Sequence, residues 1–254
     1  MMRTLLVRGM TAGIVAGLAT LVFATVFGEP GVNGGIAHEE HAAGAGHSHE
    51  VELVSRGVQS TVGLGTAAIV YGAAIGGIFA VVYALLHGRV SRMSPRSTAG
   101  TLALAGFVVI FVVPFVKYPA NPPGANDPGT ISERTGLYLT LLLFSVAVAV
   151  AAFALVRQLG PRIGGWNAAL VGGGTYLAVV SAVAYSMPSV AETPADFPAT
   201  VLYEFRTAAL GGQLVLWAIL GLMFGALAAK QPAAGSNHVR QAPRPDVVGA
   251  ARPH

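Results

Sequence analysis

Cysteine is absent from this chain of 254 residues, and charged side chains are scarce. Without thiols, the protein can form neither disulfides nor thiolate metal sites. Only 10% of its residues are charged and 54% are hydrophobic, whereas a typical soluble domain carries about 25% charged residues. Because so few charges cannot cover a water-facing surface, the composition excludes a soluble globular protein and indicates a protein of the lipid bilayer.

Motifs of two enzyme classes are also missing. No G-x-x-x-x-G-K-[ST] sequence occurs, so the chain does not hydrolyse nucleotide through a P-loop. The stretch HEEH at residues 38–41 places its histidines three positions apart, whereas zinc proteases require H-E-x-x-H on a helix. No acid–base pair falls within an apolar block, and we therefore expect a protein that is not an enzyme.

The apolar residues are gathered in blocks of about 20 residues, which is the length that crosses a bilayer as a helix. The sequence predicts an all-α, polytopic bundle of six transmembrane helices at about 4–27, 60–86, 98–116, 136–156, 166–187 and 207–229. The apolar run of the first block follows two basic residues, Arg3 and Arg8, as it would in a signal peptide. However, it is long and ends in FGEP instead of a small-residue cleavage site, so we expect it to be retained.

A histidine-rich loop and a C-terminal tail complete the predicted domain organisation. Residues 1–230 form the transmembrane domain, in which 29–57 is a loop rich in His and Glu. The tail at 231–254 is rich in Pro, Ala and Arg, and we expect it to be disordered and cytoplasmic.

Basic residues predict how the bundle is oriented. If both termini are cytoplasmic, 11 of the 15 basic residues lie inside, as the positive-inside rule requires. The four that then lie outside are Arg56, Lys117, Arg134 and Arg206. Arginine outnumbers lysine 13 to 2 in a chain rich in Ala and Gly, which is typical of a GC-rich bacterial genome. We therefore expect a multi-pass protein of the bacterial inner membrane, whose basic residues set topology and bind no nucleic acid.

Acidic residues are distributed in the opposite way, since ten of the 11 fall in the predicted outer segments. Acidic residues contribute little to topology, so a negative outer face is informative about function. It raises the local concentration of cations. The alternative is that these loops are acidic only because they must be soluble.

Small residues repeat along several of the predicted helices. Glycines recur at a spacing of four at Gly9, Gly13 and Gly17, at Gly72 and Gly76, and at Gly221 and Gly225. Such glycines share a helix face and predict close packing of backbones; the alternative is that they thin the wall of an ion path. The triplet at residues 172–174 and Pro114 are the best candidates for a broken helix.

Two outer segments are expected to be stiff caps over the helix ends. KYPANPPGANDP, at residues 117–128, contains four prolines and cannot form regular helix or sheet. ETPADFPATVLYEFR, at residues 192–206, carries aromatic residues that suit the membrane–water boundary.

The most distinctive stretch is HEEHAAGAGHSH at residues 38–49, which contains four of the seven histidines. Imidazole and carboxylate donors without sulfur suit Co²⁺, Ni²⁺, Zn²⁺ or Cu²⁺. We predict an exchangeable metal site formed by His38, Glu39, Glu40, His41, His47 and His49. His38 and His41 would share a face of a helical turn. A flexible loop loses entropy when it closes around metal, so we expect weak capture and no permanently bound cofactor. The alternative is a solvated loop with incidental histidines.

Several motifs follow one another in an order that is distinctive as a set. They are MMRTLLVRGMTAGIVAGL, FGEP, ELVSRGVQSTVGL, FVKYPANPP, WNAAL, ADFPATVLYEFR and QLVLWAILGLMFGALA. Together they resemble the CbtA-type cobalt transporter subunit family, and the resemblance covers residues 1 to about 230. It implies a role in cobalt supply for cobalamin synthesis, together with a small histidine-bearing membrane subunit of the CbtB type as partner.

The resulting expectation is a membrane subunit of a cobalt uptake transporter, with cobalt(II) as the transported ion. The histidine-rich outer loop would collect the ion, and a glycine-lined path would carry it onwards. Two alternatives stay open: a transporter for Ni²⁺ or Zn²⁺, and a membrane metal sensor or scaffold that does not transport.

Overall fold

The computed structural model describes residues 2–43, 63–88, 93–190 and 193–230. Of these residues 87% are helical and none lies in a strand, which confirms the all-α prediction. Within these described ranges, six helices are long and apolar enough to cross a membrane: α1 (Met2–Phe27), α3 (Leu64–Leu86), α4 (Pro95–Lys117), α5 (Ile131–Ile163), α6 (Gly165–Ser186) and α7 (Ala199–Ala229). A shorter, more polar helix, α2 (Glu29–Ala43), follows α1. The predicted tail at 231–254 lies outside the described residues.

Helices α5 and α7 are longer than the sequence predicted. They contain 33 and 31 residues, which correspond to about 50 and 46 Å at a rise of 1.5 Å per residue. The hydrocarbon core of a bilayer is only about 30 Å thick. Hydropathy locates only the apolar middle of such helices, because their polar end turns project into the headgroup region and beyond.

The backbones of α1 and α3 are in direct contact. A Cβ atom on Gly13 would lie 2.0 Å from the carbonyl oxygen of Gly72, and one on Gly9 would lie 2.3 Å from that of Gly76. Such contact confirms the predicted helix packing. It also excludes an ion path between these two helices, because the facing backbone already fills the space that the glycines leave.

Helix α7 packs against both α1 and α4 and completes the main core. A Cβ atom on Gly221 would lie 2.5 Å from the Cβ of Ala103, and one on Gly106 would lie 2.3 Å from the ring of Trp217. Leu220 and Phe224 of α7 are fully buried in this core. The predicted role of the glycines of α7 in close packing is thus confirmed.

Helix α4 leaves α-helical geometry at Phe107–Val112, which forms a π-helix directly before Pro114. The amide of Val113 bonds to the carbonyl of Val108, five residues back. Continued by one residue, this pattern would bond residue 114 to the carbonyl of Val109, but proline has no N–H. The prediction of an interrupted helix at Pro114 is confirmed, and the carbonyl of Val109 is left for another donor.

Helix α6, by contrast, runs unbroken through residues 172–174, so the prediction of a break there is wrong. Glycine keeps its N–H, and in a bilayer the helical bond is the only partner at hand for a lipid-facing backbone group. Gly172 provides close packing instead, since a Cβ there would lie 2.2 Å from the side chain of Val156 on α5. Nothing lies within 4 Å of the Cβ positions of Gly173 and Gly174.

We predict that Gly13→Ala destabilises the protein by about 1–3 kcal/mol, the usual cost of overpacking a tight interface. Gly173→Ala is the matched control, because its Cβ meets open space and alanine favours the helix by about 1 kcal/mol over glycine. Thermal unfolding of the two variants in detergent measures the difference. Equal midpoints would contradict the close contact of α1 and α3.

Candidate functional site

One end of the bundle is covered by irregular chain and by α2, and we call it the capped end. Here α1, α4 and α6 end and α3, α5 and α7 begin. Helix α2 starts directly after Gly28, with Pro30 in its first turn. Proline is tolerated there, because first-turn amides have no helical partner. Since proline has no N–H, it also removes one backbone hydrogen bond that would otherwise continue α1. The chain is thereby released from α1 to cover the helix ends.

Helix α2 lies on the start of α7 and on the proline-rich segment 118–127. A Cβ on Gly31 would lie 3.1 Å from Phe205, and one on Gly35 would lie 2.5 Å from the carbonyl oxygen of Pro123. Gly124 has a φ of 72°, a conformation that favours glycine, and a Cβ atom there would lie 3.0 Å from the Cβ of Glu39. The predicted loop at 29–57 therefore begins as a docked helix.

Two arginines hold the proline-rich segment in place. Arg206 of α7 donates from Nε to the carbonyl of Ala120, at 3.3 Å, and from Nη2 to Oδ1 of Asn121, at 2.7 Å. Arg134 of α5 donates to Oδ1 of Asn126, at 2.9 Å, and to the carbonyl of Pro119. A proline-rich chain offers many carbonyls and few N–H groups, so arginine donors are suited to order it.

The described part of the second outer segment, residues 187–190 and 193–198, is tied to the first. The hydroxyl of Tyr118 donates to the carbonyl of Pro188 at 2.7 Å. Burial, and secondarily the negative charge of Glu133, raise the pKa of Tyr118. The hydroxyl therefore keeps its proton, and this bond persists, at an alkaline pH at which a free tyrosine would already ionise.

The structure describes four of the six predicted metal ligands. Helix α2 contains His38, Glu39, Glu40 and His41, so the two histidines lie on one helix and not in a loop. His47 and His49 lie outside the described residues. Within the described part of the chain, no three His, Asp or Glu side chains form a group that could hold a metal ion. The six-residue site therefore stays a prediction.

His38 and His41 differ in their surroundings. The ring of His38 packs edge-on against Phe197, with 4.8 Å between centroids, and is half-buried. His41, Glu39 and Glu40 are exposed. One histidine thus fastens α2 to the segment 187–198, while the other polar residues of this turn face water.

A cleft of about 500 Å³ lies beneath α2 and reaches between the transmembrane helices. Its polar lining consists of Glu29, the first residue of α2, with Thr20 of α1 and Gln213 of α7. The hydroxyl of Thr20 donates to the carbonyl of Ala16 at 2.9 Å, which leaves its oxygen lone pairs available. Carboxylate, hydroxyl and amide oxygens are hard donors that suit a divalent cation.

The π-helical segment forms part of the wall of this cleft. Phe111 lines the cleft and also a neighbouring cavity of about 460 Å³ that extends towards Arg134 and Tyr138. Short π-helical insertions in α-helices are frequent at functional sites. Here the insertion places one aromatic ring between two cavities.

A buried hydrogen-bonded chain supports the π-helical segment from behind. Ser145 of α5, fully buried, donates to the carbonyl of Val109 at 2.7 Å. Its oxygen lies 2.8 Å from the hydroxyl of Tyr176 on α6. Because the proton of Ser145 goes to Val109, the hydroxyl of Tyr176 is the donor in the second bond. The carbonyl that Pro114 leaves unpaired is therefore satisfied by a neighbouring helix.

Sequence reasoning missed the role of Glu29, because it counted that residue with the acidic loop and found no ligand at membrane depth. The available signal was the position of Glu29 directly after the first apolar block and before a proline. Likewise, the hydrogen bond between Ser145 and Tyr176 depends on how α5 and α6 pack, which the sequence does not show.

We predict that Ser145→Ala lowers the free energy of unfolding by about 1–3 kcal/mol, because it leaves two buried polar groups without a partner. Ser181→Ala, at an exposed position of α6, is the control and should change stability by less than about 0.5 kcal/mol. Thermal or denaturant unfolding in detergent measures both. A neutral Ser145→Ala variant would contradict the buried chain.

Comparison with known proteins gives one family. The sequence profile described as "Probable cobalt transporter subunit (CbtA)" matches residues 2–229, which include all seven helices. No curated protein and no solved structure matches the chain significantly.

Proposed function

The chain belongs to the CbtA family of cobalt transporter subunits, and from this premise we propose that the capped end admits cobalt(II) into the membrane. The observation that carries the proposal is the cleft beneath α2, which brings a carboxylate, a hydroxyl and an amide together between membrane-spanning helices. The family model and the six apolar helices make the chain a multi-pass membrane protein of a transporter.

Capture begins on the exposed turn of α2. Glu39, Glu40 and His41 face water, and a cluster of negative charge raises the local concentration of divalent cations. His47 and His49 follow a few residues later in the chain and would complete the ligand set. Weak ligation suits this role, because an ion that is collected must also be released.

Passage continues into the cleft, where Glu29 is the acidic group. A cation that leaves water must regain oxygen ligands, since an unpaired charge at membrane depth is costly. Glu29, Thr20 and Gln213 supply three such ligands. The side chain of Gln213 also lies near the hydroxyl of Tyr71.

The cleft is closed towards the opposite end of the bundle. Beyond Gly212, the side chains of Leu216, Leu220 and Phe224 are buried in the main core. Release of the ion on the other side therefore requires these helices to rearrange. The π-helical segment is the natural place for such a movement, because its hydrogen bonding already departs from the α-helical pattern.

Orientation and physiological role complete the proposal. The positive-inside rule supports an orientation in which the capped end lies outside a bacterial inner membrane and both termini lie in the cytoplasm. Cobalt admitted in this direction would supply cobalamin synthesis. A CbtB-type subunit, with its own histidines, would contribute further ligands.

We predict that Glu29→Gln reduces cobalt accumulation in cells by about tenfold or more, because loss of one charge-assisted interaction with a bound ion costs about 1.5–3 kcal/mol. Glu204→Gln, at an exposed position of α7, is the matched control and should leave accumulation unchanged. Membrane levels of each variant must be equal. Equal accumulation by the two variants would exclude the cleft as the route.

The collector role is tested at low metal concentration. Replacing His38, His41, His47 and His49 with Ala should reduce accumulation at sub-micromolar cobalt and leave it unchanged at saturating cobalt, since capture limits uptake only when metal is scarce. His87→Ala, at the opposite end of α3, is the control. Unchanged uptake at low cobalt would refute the collector while leaving transport itself intact.

A further inference from the structure

Four polar side chains lie at one level of the bundle, below the capped end. Thr20, Tyr71 and Tyr138 are each seven residues from the terminus of α1, α3 or α5 that lies at the capped end, which is about 10 Å along the helix. Gln213 of α7 belongs to the same level, because the hydroxyl of Thr20 lies 3.4 Å from the carbonyl of the adjacent Gly212. We call these four residues the polar layer.

The side chains of the polar layer also approach one another across the bundle. The side chain of Gln213 lies near the hydroxyl of Tyr71, and Tyr138 lies within electrostatic range of Tyr71. Among the described residues, α3, α5 and α7 have few or no close backbone contacts with one another. The three side chains therefore meet across the space between helices, and not as a by-product of tight helix packing.

The polar layer connects the two cavities at the capped end. Thr20 and Gln213 line the cleft beneath α2, whereas Tyr138 lines the neighbouring cavity, which shares Phe111 with the cleft. Tyr71 lies beside a residue of each cavity. Its side chain is 51% exposed, so it is not sealed in the packed core and stays within reach of a small ion.

The cavity below the polar layer offers a cation no oxygen ligand. One helical turn further in, Ile75 of α3 and Trp217 of α7 line an apolar cavity of about 440 Å³, and Val146 of α5 lines it two turns further in. No described side chain that lines this cavity contains oxygen. Because an unligated charge at membrane depth is costly, inward movement of a cation stops at the polar layer until the helices rearrange.

The donors of the polar layer suit transient binding of a divalent cation. Hydroxyl and amide oxygens are neutral, and affinity for a divalent cation is tuned by the number of charged ligands. Glu29, which lies nearer the capped end, supplies the one carboxylate of the cleft. A site composed mainly of neutral oxygens holds an ion weakly enough to release it, which suits passage better than storage.

We propose that Tyr71 and Tyr138 complete a divalent-cation site at the floor of the cleft, where the ion rests before it crosses the membrane. This inference rests on the proposed function, and it adds ligands on α3 and α5 to Glu29, Thr20 and Gln213. The ligands of the polar layer come from four helices, α1, α3, α5 and α7. Binding and release of the ion are therefore coupled to the relative movement of these helices.

The test compares initial rates of cobalt uptake by cells with equal membrane levels of each variant. Tyr71→Phe and Tyr138→Phe each remove one oxygen and keep the ring. Because the site lies beyond the point of capture, both should reduce uptake by about threefold to tenfold even at saturating cobalt. Tyr185→Phe, at a side chain that is 90% exposed near the end of α6, is the matched control and should behave as wild type.

Thermal unfolding distinguishes a ligand from a purely structural contact. The purified, metal-free chain in detergent, with its four loop histidines at residues 38–49 replaced by Ala, should be stabilised by added Co²⁺, because an ion that binds only the folded state raises the midpoint. The rise should be smaller in Tyr71→Phe and Tyr138→Phe than in Tyr185→Phe. A lower midpoint without metal, together with an unchanged cobalt-induced rise, would identify a structural contact and overturn the proposal.

Glu29→Gln separates failure of this inference from failure of the proposed function. Reduced uptake by Glu29→Gln, with wild-type uptake by both tyrosine variants, would overturn the tyrosine ligands alone and leave the cleft in place. Wild-type uptake by all three variants would overturn both. Reduced uptake by the tyrosine variants alone would support the polar layer and refute the role of the Glu29 carboxylate.

Discussion

The direct backbone contact between α1 and α3 determines the position of everything at the capped end. Because Gly13 and Gly72 have no side chains, the two helices approach until a carbonyl of one touches the Cα of the other. Helix α1 then contacts α7 along its other side, where the hydroxyl of Thr20 lies 3.4 Å from the carbonyl of Gly212. The same helix continues through Gly28 into α2. A shift in the first contact would therefore move Thr20, Glu29 and the whole of α2 relative to α7.

The membrane imposes a further constraint, because every backbone polar group in the bilayer must find a hydrogen-bond partner within the protein. Pro114 violates the α-helical pattern, and the structure compensates twice. The helix widens into the π-helical segment, and Ser145 donates to the remaining carbonyl with Tyr176 behind it. This compensation connects the pair of helices α5 and α6 to the main core. It also places Phe111 in the wall of the cleft, so that the interruption contributes to the shape of the candidate site.

Much of the fold was predictable because it depends on local sequence patterns. Apolar length located all six transmembrane helices, and glycine spacing identified the tight helix contacts. The break in α4 followed from proline chemistry, whereas the triplet at residues 172–174 was misleading because glycine keeps its amide. The cap was less predictable: that α2 is a docked helix, and that Arg134 and Arg206 order the proline-rich segment, depends on contacts between distant parts of the chain. The cleft, for the same reason, could not be read from the sequence.

The capped end carries charges of both signs. Glu29, Glu39 and Glu40 lie on α2, while Lys117, Arg134 and Arg206 lie beside the proline-rich segment. The central claim, that the chain passes cobalt through the capped end, is tested most directly by reconstituting the purified protein in vesicles and measuring Co²⁺ flux against Ni²⁺ and Zn²⁺, with and without a CbtB-type subunit. We expect a cobalt flux that Glu29→Gln abolishes. A protein that binds cobalt but gives no flux under either condition would contradict the account and identify a metal sensor or scaffold.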